Sequence, residues 1–348
     1  MKTNIYIVGC IAVAVLMSAC EKRIDIDIDD QQQKVVVKST NLVGEDVAVA
    51  ITLSRPIYGT FYVREGEDYF TKVTNATATL NVGGGWISAT RSGNIYSFDH
   101  HAQPGEELTL KIVVPGHDAA TTTATVPYFP EVSNVELTVD DTPTNYNGLY
   151  DGIFSFSMTD NVNTADFYSV RLHNFDTVIY TYIDTAGAVM AIDTSINDYY
   201  ARFKCVDYLL VSNTDIDNIV DPEDPDATST YYGKNLLFTD ASFNGQTHEV
   251  TLTTYDIDYY DDYFYRNHKV SGIDYDAVDR VDTENHGVMV LEVSSLSRDL
   301  YLYSRTVSAY DDDELLGFFS EPVQIHSNIK DGIGIFGFSA LRSFKFNR

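Results

Sequence analysis

The segment Ala76-Thr-Ala-Thr-Leu-Asn-Val82 alternates apolar and polar side chains at every position. That period of two is typical of a β-strand with one buried face and one face in water. Gly83-Gly84-Gly85 ends the segment, and the same alternation returns in Leu108-Thr-Leu-Lys-Ile112. A β-branched run then extends from Thr121 to Val126 and closes at Pro127. These stretches predict a chain built mainly from short strands joined by turns.

Strand signals of this kind recur from Lys34 to Pro127 and continue beyond it. Short strands at this spacing, separated by turn residues, are typical of two packed sheets. We therefore predict an immunoglobulin-like or transthyretin-like β-sandwich over residues 34–127. The segment Pro127-Tyr-Phe-Pro130 is interpreted as a linker, because proline interrupts regular structure. A second, larger β-sandwich-type domain is predicted over residues 131–348.

One C-terminal segment has helical spacing instead. Its apolar residues recur three and four positions apart and would form one stripe along a helix: Leu296, Leu300, Tyr303, Val307 and Tyr310. Ser297 is expected to cap the start of this helix, with Asp299 in its first turn. The helix is expected to end near Asp311-Asp312-Asp313, because acidic side chains are unfavourable at a helix C-terminus.

The first twenty residues predict export. Lys2 precedes an apolar run from Ile5 to Met17, and the small residues Ser18-Ala19 lead to Cys20. The run is shorter than the ~20 residues that span a bilayer, so residues 1–19 are interpreted as a signal peptide. The ending Leu16-Met-Ser-Ala-Cys20 resembles a lipobox, which predicts that Cys20 is lipidated. Residues 20–33 would then be a tether to either face of the outer membrane. The alternative is an ordinary secretory signal.

The charge balance excludes one class of partner. The chain has 51 acidic and 23 basic residues, for a net charge of −28. Phosphate contacts need clustered Lys and Arg, so nucleic acid is not expected as a partner. Removal of the signal leaves Cys20 and Cys205, which cannot provide a disulfide framework. Cys205 is interpreted as a small core residue.

The sequence lacks the common catalytic motifs. It has no G-x-S-x-G, H-E-x-x-H or G-x-x-x-x-G-K segment, so we expect no enzyme activity and no cofactor. A metal site is left open. His100-His101 lies in a predicted loop and could contribute to one, although no third ligand is identifiable.

A tyrosine-rich acidic segment is the candidate binding surface, because exposed tyrosine gives flat contact area with a polar tip. Its residues are Tyr255, Asp258, Tyr259, Tyr260, Asp261, Asp262 and Tyr263. The alternatives are a strand with a solvated loop, or a Ca²⁺ site of carboxylate oxygens. An EF-hand loop is excluded, since the glycine and glutamate that such a loop needs are missing.

The C-terminal segment from Glu321 to Ile329 and the following segment from Asp331 to Gly337 form an EPVxxxSNIxxGxGIFG motif. The motif resembles the closing motif of a Bacteroidota family of uncharacterised outer-membrane lipoproteins, whose members are encoded beside TonB-dependent receptors. That resemblance implies an accessory role at such a receptor in nutrient binding or uptake. It supplies no ligand and no site residues.

The closing motif has two physical interpretations. Its glycines allow positive φ or close backbone approach, and Ile333, Ile335 and Phe336 are apolar. The segment could pack as a final strand across the sandwich, or the three apolar residues could contact a partner. The alternative function is an adhesin or fimbrillin-like surface protein. A hydrolase is a third, weaker hypothesis.

Overall fold

The computed structural model describes residues 33–54, 71–139, 152–162, 164–211, 231–254, 277–316 and 324–347. Nearly all regular structure in these ranges is β-strand, which confirms the predicted fold class. The first nine strands are β1 (Val35–Leu42), β2 (Asp46–Leu53), β3 (Thr71–Lys72), β4 (Thr77–Val82), β5 (Gly85–Ser88), β6 (Thr90–Ser92), β7 (Ile95–His101), β8 (Glu107–Val113) and β9 (Ala120–Thr125).

The remaining strands follow the predicted linker. They are β10 (Glu131–Val139), β11 (Gly152–Thr159), β12 (Phe167–Asp184), β13 (Val189–Ala201), β14 (Phe203–Cys205), β15 (Tyr231–Gly233), β16 (Leu236–Thr239), β17 (Thr247–Thr254), β18 (Val278–Leu296) and β19 (Gly332–Asn347). The helices are α1 (Tyr208–Val211) and α2 (Arg298–Leu316), and Asp240–Ser242 forms one 3₁₀ turn. The four-residue α1 adds to the single helix predicted.

The strands form three sheets. The largest has the order β13-β12-β18-β19-β1-β2-β7-β6, with β16 also paired to β12 and β3 to β2. A four-stranded sheet, β5-β4-β8-β9, shares one apolar core with its β1–β2–β7 end. A five-stranded sheet, β10-β11-β17-β14-β15, shares a second core with its β12–β18 end. Both cores consist of alternate residues along the strands, as the period of two predicts.

The last strand belongs to both sandwiches. Its first half runs parallel to β1, from Gly332 opposite Val35 to Ser339 opposite Leu42. Its second half runs antiparallel to β18, from Ser339 opposite Leu296 onward. Phe336 and Phe338 accordingly lie in the first core, while Phe344 and Phe346 pack against the second. Apart from the segment from Ile329 onward, the first core therefore consists of residues before 127 and the second core of residues after 130.

The closing motif holds the start of β19 through side-chain hydrogen bonds to the backbone. The Asn328 amide donates to the Phe336 carbonyl at 2.8 Å and accepts from the Phe336 N–H at 3.0 Å. The Ser327 hydroxyl accepts the N–H groups of Ile329 and Gly334. His326 bonds to Asp299 at 2.9 Å, which connects the motif to α2. These hydrogen bonds thus fix the position of the start of β19.

Helix α2 begins where the sequence predicts, but its start is held differently. The Ser297 carbonyl accepts the N–H of Tyr301 within the helix, while its hydroxyl accepts the N–H of Phe338 in β19. The helix continues past the three aspartates to Leu316. Leu300 and Tyr301 are buried, and the Tyr301 ring packs on Phe167 with ring centroids 5.0 Å apart. The predicted stripe position Tyr303 is only half-buried. Neither described helix meets the length and apolarity that a membrane-spanning helix needs.

Candidate functional site

The three residues predicted to contact a partner, Ile333, Ile335 and Phe336, lie in strand β19, and their side chains point to both of its faces. Ile335 and Phe336 are buried, and their side chains are not available to a partner in this fold. Ile333 is 36% exposed. Of the two interpretations of this segment, the packed final strand therefore describes both residues. Phe336 lies in the first core, and Ile335 packs in a smaller cluster with Leu296 and Leu300 on the other side of β19.

The other predicted sites have different outcomes. The lipidation site Cys20 and the tyrosine-rich surface from Tyr255 to Tyr263 lie outside the described residues. His100 and His101 end strand β7 and are not in a loop, so the prediction for them is wrong on this point. Successive strand residues point to opposite faces. His100 accordingly pairs with Glu106 at 2.9 Å, and His101 pairs with Asp46 at 3.1 Å.

Cys205 lies in the second core, as predicted. The thiol is free and its side chain is fully buried in β14. Burial raises the pKa of this thiol to about 11, because the thiolate would lose its hydration. The group is therefore a protonated, unreactive thiol at neutral pH rather than a nucleophile.

A cleft of about 630 Å³ opens where the two sandwiches meet. Tyr128 and Phe129, from the segment predicted as a linker, form one wall together with Arg342 of β19, whose guanidinium lies 5.0 Å from the Phe129 ring centroid. Asp160, Asp166 and Tyr168 also line the cleft. The volume lies in the range of small-ligand sites, and the lining combines aromatic, basic and acidic side chains.

Asp160 and Asp166 also belong to a cluster with Asp240, and its three members come from separate segments. Asp160 follows β11, Asp166 precedes β12, and Asp240 opens the 3₁₀ turn after β16. One carboxylate oxygen from each of the three lies within 4.8 Å of the other two. Backbone pairing sets this geometry, because the Asp240 N–H donates to the Asp166 carbonyl and the Asp160 N–H to the Gln246 carbonyl.

Hydrogen bonds reach all three carboxylates, although not every oxygen of Asp240. Asp160 accepts the Tyr168 hydroxyl at 2.7 Å and the Gly245 N–H at 2.9 Å. Asp166 accepts the Thr164 hydroxyl at 2.6 Å. Asp240 differs, because its Oδ2 atom is buried and accepts no hydrogen bond from the described residues. No ion pair to any of the three exists within the described ranges. The cluster therefore concentrates negative charge.

The surroundings of the cluster raise the pKa of two of its carboxyl groups. Burial raises the pKa of Asp166, and the neighbouring Asp160 raises it further, although the Thr164 hydroxyl lowers it. Burial also raises the pKa of Asp240, and the charges of Asp160 and Asp166 add to the effect, although hydrogen bonds from the backbone of Asp166 and of Asp240 itself lower it. Both shifts follow from holding carboxylates near one another away from water. A bound cation would favour the ionised forms instead.

The sequence contains only a weak signal for this cluster. Asp160 ends the alternating segment from Phe154, and Asp240 follows the apolar run Leu236-Leu-Phe238. An acidic residue directly after a buried strand is a reason to consider a site, but 51 acidic residues offer many such positions. Asp166 and Asp240 lie about seventy residues apart in sequence, and they come together only because β12 pairs with β16.

A second candidate surface, which we term the ribbon face, is the face of the long strands β12, β13 and β18 on which exposed aliphatic side chains alternate with polar ones. Ile192 and Ile196 of the edge strand β13 are 65% and 73% exposed. Their cross-strand neighbours on β12 are Thr181 and Thr177, and Phe175 lies further along the same face of β12. A polar cluster lies at its end, where the Arg171 guanidinium contacts Glu292 at 2.9 Å and stacks over Tyr200.

Comparison with known proteins gives a family but no activity. No curated protein matches the chain. One solved structure, described as "Structural basis for the promiscuous specificity of the carbohydrate-binding modules from the beta-sandwich super family", aligns with 11% identity and a TM-score of 0.18, over 66% of this chain and 98% of that chain. A family model described as "Domain of unknown function (DUF4249)" matches residues 21–344. Because this match extends over most of the sequence, the chain belongs to that family of uncharacterised proteins.

Proposed function

We propose that this protein is a non-catalytic, lipid-anchored protein of the outer membrane that assists a TonB-dependent receptor in nutrient binding or uptake. Its lipid anchor would be Cys20, and its contact with the receptor would be the ribbon face. The observation that carries the proposal is the exposure of Ile192 and Ile196 on the same face of an edge strand.

The ribbon face has the composition of a protein contact. Large aliphatic side chains exposed on one continuous face are unfavourable in water and mark interaction sites. Ile192 and Ile196 lie four positions apart on β13 and so point to the same side, and Phe175 lies on that side of the neighbouring strand β12. The charged cluster around Arg171 and Glu292 would form the polar rim that surrounds such contacts.

The proposed anchor strengthens a modest contact. A lipoprotein and a receptor held in one membrane meet in two dimensions, so even a small interface gains from the high effective concentration. The signal architecture around Cys20 and the resemblance of the segment from Glu321 to Gly337 support this location and this partner. The described side chains form no arrangement of nucleophile and base that would favour an enzyme.

The test is an affinity pull-down from detergent-solubilised outer membranes, with a C-terminally tagged full chain. We expect the wild type to recover a TonB-dependent receptor. Replacement of both Ile192 and Ile196 by Asp should abolish recovery, while the matched variant Ile95→Asp, exposed on the other sandwich, should retain it. Exposed positions tolerate such changes within about 0.5 kcal/mol, so all variants should fold.

Two results would contradict the proposal. Recovery of no receptor by the wild type, with the receptor expressed and the anchor intact, would reject the partner. In that case a ladder of multimers on a non-boiled gel would favour the adhesin or fimbrillin-like alternative. Equal recovery by the wild type and the Ile192/Ile196 variant would retain the partner but reject the ribbon face as the contact.

A further inference from the structure

The cluster formed by Asp160, Asp166 and Asp240 lacks a counter-charge. One oxygen of each carboxylate lies within 4.8 Å of the others, and the ion pairs that the structure describes do not involve them. Three ionised carboxylates in so small a volume repel one another. Surface aspartates avoid this cost by turning into water, but Asp160 and Asp240 are both buried. In their ionised forms these carboxylates would be stabilised by a positively charged partner.

Asp240 supplies independent support for a missing ligand. Its side chain is 4% exposed, and its Oδ2 atom has no hydrogen-bond partner among the described residues. A buried carboxylate oxygen without a partner is rare in native proteins, because the lost hydration is not replaced. The oxygen belongs to the group that already faces Asp160 and Asp166. Their shared volume is therefore where a positively charged partner would satisfy it.

We propose that Asp160, Asp166 and Asp240 together bind one calcium ion. All three ligands are hard carboxylate oxygens, which suits Ca²⁺ rather than the nitrogen and sulfur ligands of Zn²⁺ sites. Ca²⁺ takes six to eight oxygens in irregular geometry, and the adjoining cleft admits water to complete that number. Mg²⁺ fits less well, because it demands an octahedron and usually binds only one or two carboxylates.

Bound calcium would join three segments beside the cleft. Asp160 anchors the segment after β11, Asp166 the start of β12, and Asp240 the turn after β16. These segments already contact one another through backbone bonds, and the cation would remove the repulsion between their ionised carboxylates. The ion would therefore hold in place Asp160 and Asp166, which line the cleft together with Tyr168.

The first test measures binding to the full chain after treatment with a chelator. Titration calorimetry with CaCl₂ should show binding with a Kd of about 10⁻⁴ to 10⁻³ M or tighter, the range of calcium modules outside the cell. Saturating CaCl₂ should raise the melting temperature, and the same concentration of MgCl₂ should raise it much less. Terbium emission excited through tyrosine should increase on binding, because Tyr168 bonds directly to Asp160, and CaCl₂ should displace it.

The second test assigns the ion to these residues. Asp240→Asn keeps the size of the side chain but removes one charge, so it should weaken calcium binding by about tenfold or more. Asp166→Asn, at the more exposed member, should have the same effect if Asp240→Asn fails to fold. The matched control is Asp118→Asn, an exposed aspartate in the turn before β9, which should bind as the wild type does.

The chain carries many other carboxylates, so weak calcium association elsewhere must be separated from this site. A calcium-dependent rise in melting temperature that survives in both Asp240→Asn and Asp166→Asn would overturn the assignment. The absence of any calcium response in the wild-type chain, by calorimetry and by terbium emission, would overturn the site itself. Loss of the response in the two cluster variants, with the Asp118→Asn response intact, would establish it.

Discussion

At the scale of single residues, the closing motif is explained by backbone bonding. Asn328 uses both ends of its amide to pair with the N–H and carbonyl of Phe336, as a neighbouring strand would. Ser327 serves two further N–H groups. The motif was recognisable in the sequence because such pairing requires an amide or a hydroxyl at fixed positions. The role of the motif in positioning β19 could not be predicted from the sequence, because the atoms that it bonds are backbone atoms.

Asn328→Ala should destabilise the protein. The change removes two hydrogen bonds and leaves the Phe336 backbone groups without them, which typically costs about 1–3 kcal/mol of unfolding free energy. Urea denaturation followed by tryptophan and tyrosine fluorescence would measure the loss. Gln324→Ala, at an exposed position of the same segment, is the control and should change stability by less than about 0.5 kcal/mol. Equal stability of both variants would refute the pairing role.

The buried aspartates make a separate prediction about pH. Burial raises the pKa of Asp166 and Asp240 above the ordinary value of 3.8 in the folded protein. Folding therefore takes up protons as the pH falls toward 3.8, which stabilises the folded state, and this gain is lost as the pH rises through the raised pKa. At neutral pH in chelator, the ionised carboxylates destabilise the fold. Asp240→Asn should then be more stable than the wild type.

The difference between these two proteins should shrink as the pH falls from 7 through the raised pKa toward 3.8. Urea unfolding in EDTA at several pH values would measure it, and the net charge of −28 affects both proteins almost equally. A difference that does not change with pH would show that burial of the ionised Asp240 is not its cause. Added calcium should reverse the order, because only the wild type keeps all three carboxylates.

At the scale of elements, the sequence predicts most strands but not their partners. Alternation in β4 and β8 identifies each strand and its buried face, because that pattern is local. The parallel pairing of β1 with β19 joins residues at opposite ends of the described chain, and no local pattern encodes it. The same reason hides the acidic cluster, whose members belong to loops that meet only after β16 pairs with β12.

Gly334 tests the pairing between β1 and β19. Its φ is +114°, and a Cβ there would overlap the Val37 carbonyl oxygen across the strand pair. Gly334→Ala should therefore combine backbone strain, about 1–3 kcal/mol, with separation of the two strands. Gly84→Ala is the matched control, because its φ is +89° but no atom lies within 4 Å of the new Cβ.

Thermal and urea unfolding of both glycine variants would separate the two costs. We expect Gly84→Ala to lose only the strain, and Gly334→Ala to lose clearly more, with an aggregation-prone or unfolded product as the extreme case. Similar losses in the two variants would mean that the backbone of β19 does not lie against Val37 as described.

At the scale of the whole molecule, the shared strand makes the first sandwich dependent on the C-terminus. The fragment 34–127 corresponds to the predicted N-terminal domain, yet its core includes Phe336, Phe338 and Ala340. Without these side chains the core is incomplete and β1 has an open edge. The sequence predicts the sandwich, but its missing strand lies about two hundred residues beyond the predicted boundary.

The fragment 34–127 should therefore fail to fold on its own. Addition of a synthetic peptide covering residues 326–340 should restore folding, because that segment supplies both the strand and its three core side chains. Circular dichroism and the fluorescence of Trp86 would measure recovery, with a peptide in which Phe336 and Phe338 are replaced by Asp as the control. A stable fragment without peptide would refute the dependence.

The position of β19 at the end of the chain also sets the order of events during biosynthesis. Ribosomes add about 5–20 residues per second, so roughly 300 residues and tens of seconds separate the appearance of β1 from that of its partner. Until β19 is made, β1 has no partner on this edge and the first core is incomplete. Such edges recruit other chains. A polypeptide truncated anywhere before residue 332 would therefore keep this edge open.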